Sequence, residues 1–172
     1  MGNGINPGAG ASAIGTSVKR RSDTELLITR SFDAPASLLF EAWTRPDLFM
    51  KWWAPRSTGM VILSCEMDVR PGGSYRLEFG HSAGEQTMIF HGRYIDVVPA
   101  ALLVWTNEET ERGAVTTVTF TERDGRTEVV LLEAYQSREA LDESLEGMDS
   151  FMPEQYLQLD ELLEAMARQA SR

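Results

Sequence analysis

The sequence predicts an α+β domain, with a curved antiparallel sheet of six to seven strands wrapped around one long C-terminal helix and two short helices at one end. Three observations carry this. From Ser137 to Arg168, Leu141, Leu145, Met148, Met152, Tyr156, Leu159, Leu163 and Met166 recur at helical spacing and form one apolar stripe, with most acidic residues of the segment off it. Ahead of that stretch the chain is a succession of alternating segments joined by short turns, the pattern of a strand meander. No helical stretch lies between those segments to serve as a crossover, so sequential strands must run antiparallel.

The first strand is Glu25 to Phe32, ended by Asp33-Ala34-Pro35, where Pro35 suits the first turn of a helix. Leu38, Leu39, Ala42 and Trp43 form that helix's apolar face; Pro46 interrupts it, and a second short helix from Asp47 to Trp53 stops at Pro55. From Met60 the period is two. Val61, Leu63, Cys65, Met67 and Val69 point toward the long helix, while Ile62, Ser64, Glu66, Asp68 and Arg70 point away. Arg70-Pro71-Gly72-Gly73 reads as a turn fixed by an Asp68–Arg70 pair, after which Tyr75, Leu77 and Phe79 alternate with Ser74, Arg76 and Glu78. Gly80 to Glu85 turns again, and Gln86 to Val98 is a long strand whose central Gly92 suits a bend or bulge. Strands at 101–106, 114–121 and 127–135 complete the meander, the last two joined by the hairpin turn Arg123-Asp124-Gly125-Arg126. In the long helix, Pro153 marks a kink or restart.

At 172 residues and 42% hydrophobic content the chain can bury one core, read as a flexible N-terminal tail over residues 1–22 and a single domain over 23–170. The tail is rich in Gly, Ala and Ser and lacks the basic-then-apolar order of a secretory signal. Its Asn6 stands where N-myristoylation needs Ser or Thr. A net charge of −10 is repelled by phosphate backbones and anionic lipid, which argues against nucleic acid as a partner, and no apolar run is long enough for membrane insertion. One cysteine, Cys65, admits no internal disulfide and fits a cytoplasmic location. His81, His91 and Cys65 have no metal-ligand spacing, so neither a metal nor another cofactor is expected. The tail leaves a second copy of the chain, as a homodimer, open as a partner.

Several short strings now coincide. Phe32-Asp33-Ala34-Pro35, Trp52-Trp53-x-Pro55, Asp68-x-Arg70-Pro71-Gly72-Gly73-x-Tyr75, Gly92-x-Tyr94 and Thr117-Val118-Thr119-Phe120 stand in an order that resembles the activator of heat-shock-protein-90 ATPase homologue-like proteins. These belong to the START/Bet v 1-like (SRPBCC) superfamily, and the resemblance spans residues 24–168. It implies the helix-grip fold, in which a bent antiparallel sheet grips the C-terminal helix over a cavity. Relatives in that superfamily carry lipids or hormones, cyclise or dehydrate polyketides, or stimulate a chaperone ATPase, so the fold alone does not choose a function.

The candidate cavity lining is Trp52, Trp53, Met67, Tyr75, Phe90, His91, Trp105, Met148, Met152 and Tyr156, since aromatic walls suit a planar or apolar ligand and Met adapts to irregular gaps. The expected function is binding of a small hydrophobic or aromatic molecule between sheet and helix. One alternative is an enzyme resembling polyketide cyclases, which requires His91, Tyr94 or Glu133 inside the cavity, within hydrogen-bond reach of substrate. A chaperone ATPase-regulating role is the other alternative and follows only from the resemblance. Glu66, Asp68 and Glu78 alternate on the face opposite the apolar one, where Arg70 and Arg76 pair with them.

Overall fold

In the computed structural model, residues 15–81, 84–108 and 113–170 are described, apart from the side chains of residues 85–86 and 146–151. The elements are β1 (Ser17–Arg20), β2 (Glu25–Phe32), α1 (Ala36–Thr44), α2 (Pro46–Phe49), a 3-10 turn (Arg56–Thr58), β3 (Met60–Met67) and β4 (Ser74–His81). They continue with β5 (Gly84–Val98), β6 (Leu102–Thr106), β7 (Val115–Arg123), β8 (Arg126–Ala134) and α3 (Arg138–Ala170). One curved eight-stranded antiparallel sheet results, in the order β1-β2-β8-β7-β6-β5-β4-β3. The strands from β3 to β8 form the expected meander, and β2 closes against β8, so the start and end of the strand succession are neighbours.

Strand period places Leu26, Ile28 and Phe32 of β2, Val129 and Leu131 of β8, and Val118 and Phe120 of β7 on one buried face. Against that face α3 lays Leu141, Met152, Tyr156, Leu159, Leu163 and Met166, six of the eight residues of the expected stripe, all buried. Leu145 is half-buried, and Met148 lies outside the described side chains. The helix starts where Ser137 Oγ accepts the Ala140 N–H at 3.1 Å, which satisfies one of the unpaired amides of the first turn. It runs unbroken past Pro153 rather than restarting there. No described helix is long and apolar enough to cross a membrane.

Arg30 shares the inner face of β2 yet is only 6% exposed. Its guanidinium donates to the Tyr156 carbonyl at 2.7 Å and to the Asp160 carboxylate, and stands 4.8 Å from the Phe32 ring centre. Burial raises the Asp160 pKa and the guanidinium opposes that rise, so the pair ties β2 to α3 with its charges offset.

Four further sequence expectations change. An eighth strand, β1, forms from residues assigned to the tail: Ser17 to Arg20 pair with Thr29 to Leu26, and Arg20 bonds Asp142 of α3 at 2.6 Å. Four residues are too few for a period to be read, and residues 1–14 lie outside the described residues. The second helix stops at Phe49, and Trp52 and Trp53 follow in turns closed by Lys51 N–H to Leu48 and Trp52 N–H to Phe49. The turn expected between Gly80 and Glu85 is shorter, because β4 reaches His81 and β5 begins at Gly84; residues 82–83 lie outside the described residues. Lastly, β3 is bulged between Ile62 and Ser64, so its inner face switches parity. Val61 and Leu63 point outward, 45% and 54% exposed, while Met60, Ile62, Cys65 and Met67 are half-buried and pack against the core. The Leu63 side chain lies over Gly80, where a β-carbon would come within 2.9 Å of it.

Candidate functional site

Between the N-terminal half of α3 and the inner face of β3–β6 lies a cavity of about 1060 Å³, closed at one end by α1, α2 and the turn that follows. Its sheet wall follows from strand period. Tyr75, Leu77 and Phe79 of β4 and Met88, Phe90 and Tyr94 of β5 share the inner face, and Trp105 of β6 sits opposite Tyr94 in the ladder. Phe79 meets Phe90 edge to face with ring centres 5.1 Å apart, and Tyr75 lies 5.8 Å from Tyr94.

Gly92 sets this wall. It pairs with Tyr75, and a β-carbon on it would stand 1.9 Å from the Thr106 carbonyl oxygen and 2.9 Å from the Tyr75 ring. Without a side chain there, Tyr75 lies flat across β5 and donates its hydroxyl to the Thr106 carbonyl at 2.7 Å. The glycine therefore allows a close approach of strand and ring, and the ladder irregularity of β5 lies further on, between Tyr94 and Asp96.

The opposite wall is Trp43 of α1 with Phe49 and Trp53, the last two stacked at 4.7 Å. Two buried amides of α3 hold the Trp52–Arg56 stretch. Gln155 donates to the Trp53 carbonyl, Gln158 donates to the carbonyls of Trp52 at 3.0 Å and Ala54 at 2.9 Å, and the Gln158 side-chain oxygen accepts the Arg56 N–H at 2.9 Å. A polar residue beside the apolar stripe thus satisfies backbone groups that the loop cannot pair by itself.

Of the ten expected lining residues, Trp53, Tyr75, Phe90 and Trp105 face the cavity. Trp52 does not: it is fully buried behind the wall, donating its indole N–H to the Ala42 carbonyl at 2.9 Å. Tyr156 and Met152 pack in the core as part of the helix stripe, Tyr156 with its ring 5.4 Å from Phe32. Met67 is half-buried against the core, beside Tyr75 in the ladder and away from the lining. His91 points outward, because Phe90 and Gly92 occupy the inner parity of β5. Met148 falls among the side chains outside the description.

The lining adds residues absent from that expectation, chiefly Trp43, Asn107, Tyr135, Glu139, Glu143 and Ser144. Glu133, named only for the enzyme alternative, and Tyr94 with it, line the cavity as well. Glu133 was readable in principle, since it continues the inner phase of Thr127, Val129 and Leu131 along β8. Its carboxylate accepts the Tyr135 hydroxyl. Burial, then the neighbouring Glu133 charge, raises the Tyr135 pKa well above the usual tyrosine range, so that hydroxyl stays a neutral donor. Burial does the same for Tyr94 and for Tyr156, the latter with Glu133 as its second cause. At the mouth, His81 Nε2 donates to the Thr58 carbonyl at 3.1 Å. Two polar atoms near the back wall have no hydrogen-bond partner, the Trp43 indole nitrogen and the Tyr156 hydroxyl.

Solved structures of similar fold span nearly the whole domain. A crystal structure of a protein from Rhodobacter sphaeroides matches with a TM-score of 0.80 at 26% identity, covering 87% of this chain and 98% of its own. One from Mycobacterium smegmatis gives 0.74 at 28% identity over 88% and 98%. One from Nitrosomonas europaea gives 0.76 at 20% identity over 87% and 99%, a likeness of fold alone. No curated protein matches the chain. The family profile of activator of Hsp90 ATPase homolog 1-like proteins matches residues 33–164, and the chain therefore belongs to that family.

Proposed function

We propose that the chain binds a small hydrophobic or aromatic molecule in the cavity between its sheet and α3. The carrying observation is a void of about 1060 Å³ faced by nine aromatic rings. Close-packed interiors leave few gaps larger than a water molecule, whereas ligand pockets run to roughly 300–1,000 Å³. Rings on two facing walls, Trp53 and Phe49 on one and Tyr75, Phe90 and Trp105 on the other, suit the faces and edges of a flat guest. A cytoplasmic setting completes this reading, one that a free Cys65 fits.

The test is titration with Nile red, a neutral dye that brightens in apolar surroundings, against the wild type and Ala140→Trp. Ala140 lines the cavity from α3, so an indole there occupies ligand space. Saturable one-to-one binding that weakens about tenfold or more in the folded variant is expected. Undiminished binding would count against the cavity.

A second reading, an enzyme resembling polyketide cyclases, draws on Glu133, a half-buried carboxylate in the cavity wall engaged by a neutral tyrosine hydroxyl. In this reading the Glu133 carboxylate takes a proton from a bound substrate while the Tyr135 hydroxyl donates a hydrogen bond. Conversion of a bound compound, abolished in Glu133→Gln with binding retained, separates this reading from simple carriage.

A further inference from the structure

We infer that the molecule selected by this cavity is an organic cation, an aromatic or ring-bearing amine protonated at neutral pH, in preference to a neutral analogue or a carboxylate. This rests on the binding reading above and adds the chemistry of the guest. Three carboxylates meet the cavity: Glu133 half-buried inside it, and Glu139 and Glu143 exposed at its rim on the first turns of α3. Among the described lining residues there is no Lys or Arg, and His81 at the mouth is the one side chain there able to carry positive charge.

The remaining walls act in the same direction. Aromatic faces carry the negative lobe of the ring quadrupole and attract a cation brought within about 6 Å of the ring centre, more strongly when water is excluded. Trp43 contributes one such face: it lines the cavity and is 2% exposed. A chain of net charge −10 also draws cations toward the mouth and repels anions.

The experiment compares three matched probes by displacement of Nile red at pH 7 and low salt: 1-naphthylethylamine as cation, 1-naphthylethanol as neutral isostere and 1-naphthylacetate as anion. The amine is expected to bind about tenfold or more tighter than the alcohol, and the carboxylate weaker than both. Glu133→Gln, and separately the rim double variant Glu139→Gln/Glu143→Gln, should compress the amine-to-alcohol ratio several-fold. Glu128→Gln, an exposed position on β8 outside the cavity, should leave it unchanged. Equal affinity for the three probes, a tighter carboxylate, or a ratio indifferent to every cavity variant overturns the inference while leaving Nile red binding, and hence the cavity reading, in place. If neither the dye nor any probe binds, both fall together. Should Glu133→Gln fail to fold, the wild-type order and the rim variant still decide.

Discussion

Replacing Gly92 with alanine tests the claim that this one position shapes the aromatic wall. The new β-carbon would stand 1.9 Å from the Thr106 carbonyl oxygen, where 3.4 Å is ordinary contact, so β5 and β6 must part by about 1.5 Å or the backbone must twist. That separation breaks what joins the strands there: the Glu108 N–H to the His91 carbonyl at 2.8 Å, the Arg93 N–H to Thr106 Oγ1 at 3.0 Å, and the Tyr75 hydroxyl to the Thr106 carbonyl at 2.7 Å. At about 1 kcal/mol net for each hydrogen bond the loss is about 3 kcal/mol. Overpacking independently costs about 1–3 kcal/mol. For a chain of this size about 3 kcal/mol corresponds to a fall in Tm of about 6–12 °C. Thermal and urea unfolding followed by circular dichroism measure it, and Nile red titration reads whether the displaced Tyr75 weakens the site. Gly125→Ala is the control: its φ is +77° and a β-carbon there meets nothing within 4 Å, so it pays only left-handed strain of about 1 kcal/mol. If Gly92→Ala proves no more destabilising than Gly125→Ala, the close approach is not what the glycine provides.

Gln158→Ala should lose about 2–3 kcal/mol, because the Trp52 and Ala54 carbonyls and the Arg56 N–H lose their partner together. Urea unfolding checks it, with the exposed Leu157→Ala as a variant of small effect. Alkaline pH should destabilise the fold. Burial pushes the Cys65 thiol from 9.0 up to about 11 and holds the hydroxyls of Tyr94, Tyr135 and Tyr156 protonated above their ordinary 10.0. Above pH 9 the unfolded chain therefore sheds protons that the folded chain keeps, so stability is intact below that value and falls as pH climbs through 9 to 11. Unfolding free energies at pH 7, 9 and 10.5 test the sign; a flat profile refutes the burial of these groups.

The fold was legible because its determinants are periodic. Eight residues from Leu141 to Met166 repeat every third or fourth position, and six of them are buried as that spacing requires. The turns carried their own chemistry: Asp124 and Gly125 adopt positive φ of 55° and 77°, which an Asp-Gly pair tolerates. The cavity was legible only in part, because facing depends on parity, and parity is reset by irregularities that leave no mark in composition. Val61, Leu63, Cys65 and Met67 alternate without interruption in the sequence, yet one register slip after Ile62 turns the first two to solvent and the last two inward. His91 is displaced by the converse effect, since the inner parity of β5 belongs to Phe90, Gly92 and Tyr94.

Polar lining was harder to find than aromatic lining for a related reason. Gln155 and Gln158 flank the helix stripe, and their amides serve carbonyls that only become neighbours once the Trp52–Arg56 stretch has folded back on α3. Glu133 shares a strand with Glu128 and an amino-acid identity with it. One faces the cavity and the other solvent because they stand an odd number of residues apart. The sign of the cavity's charge is set by that parity rather than by the chain's overall excess of acid. A one-residue slip of β8 in its ladder would exchange Glu133 for Leu132 in the wall and remove the carboxylate, so the chemistry of the cavity wall depends on strand register as directly as the core does.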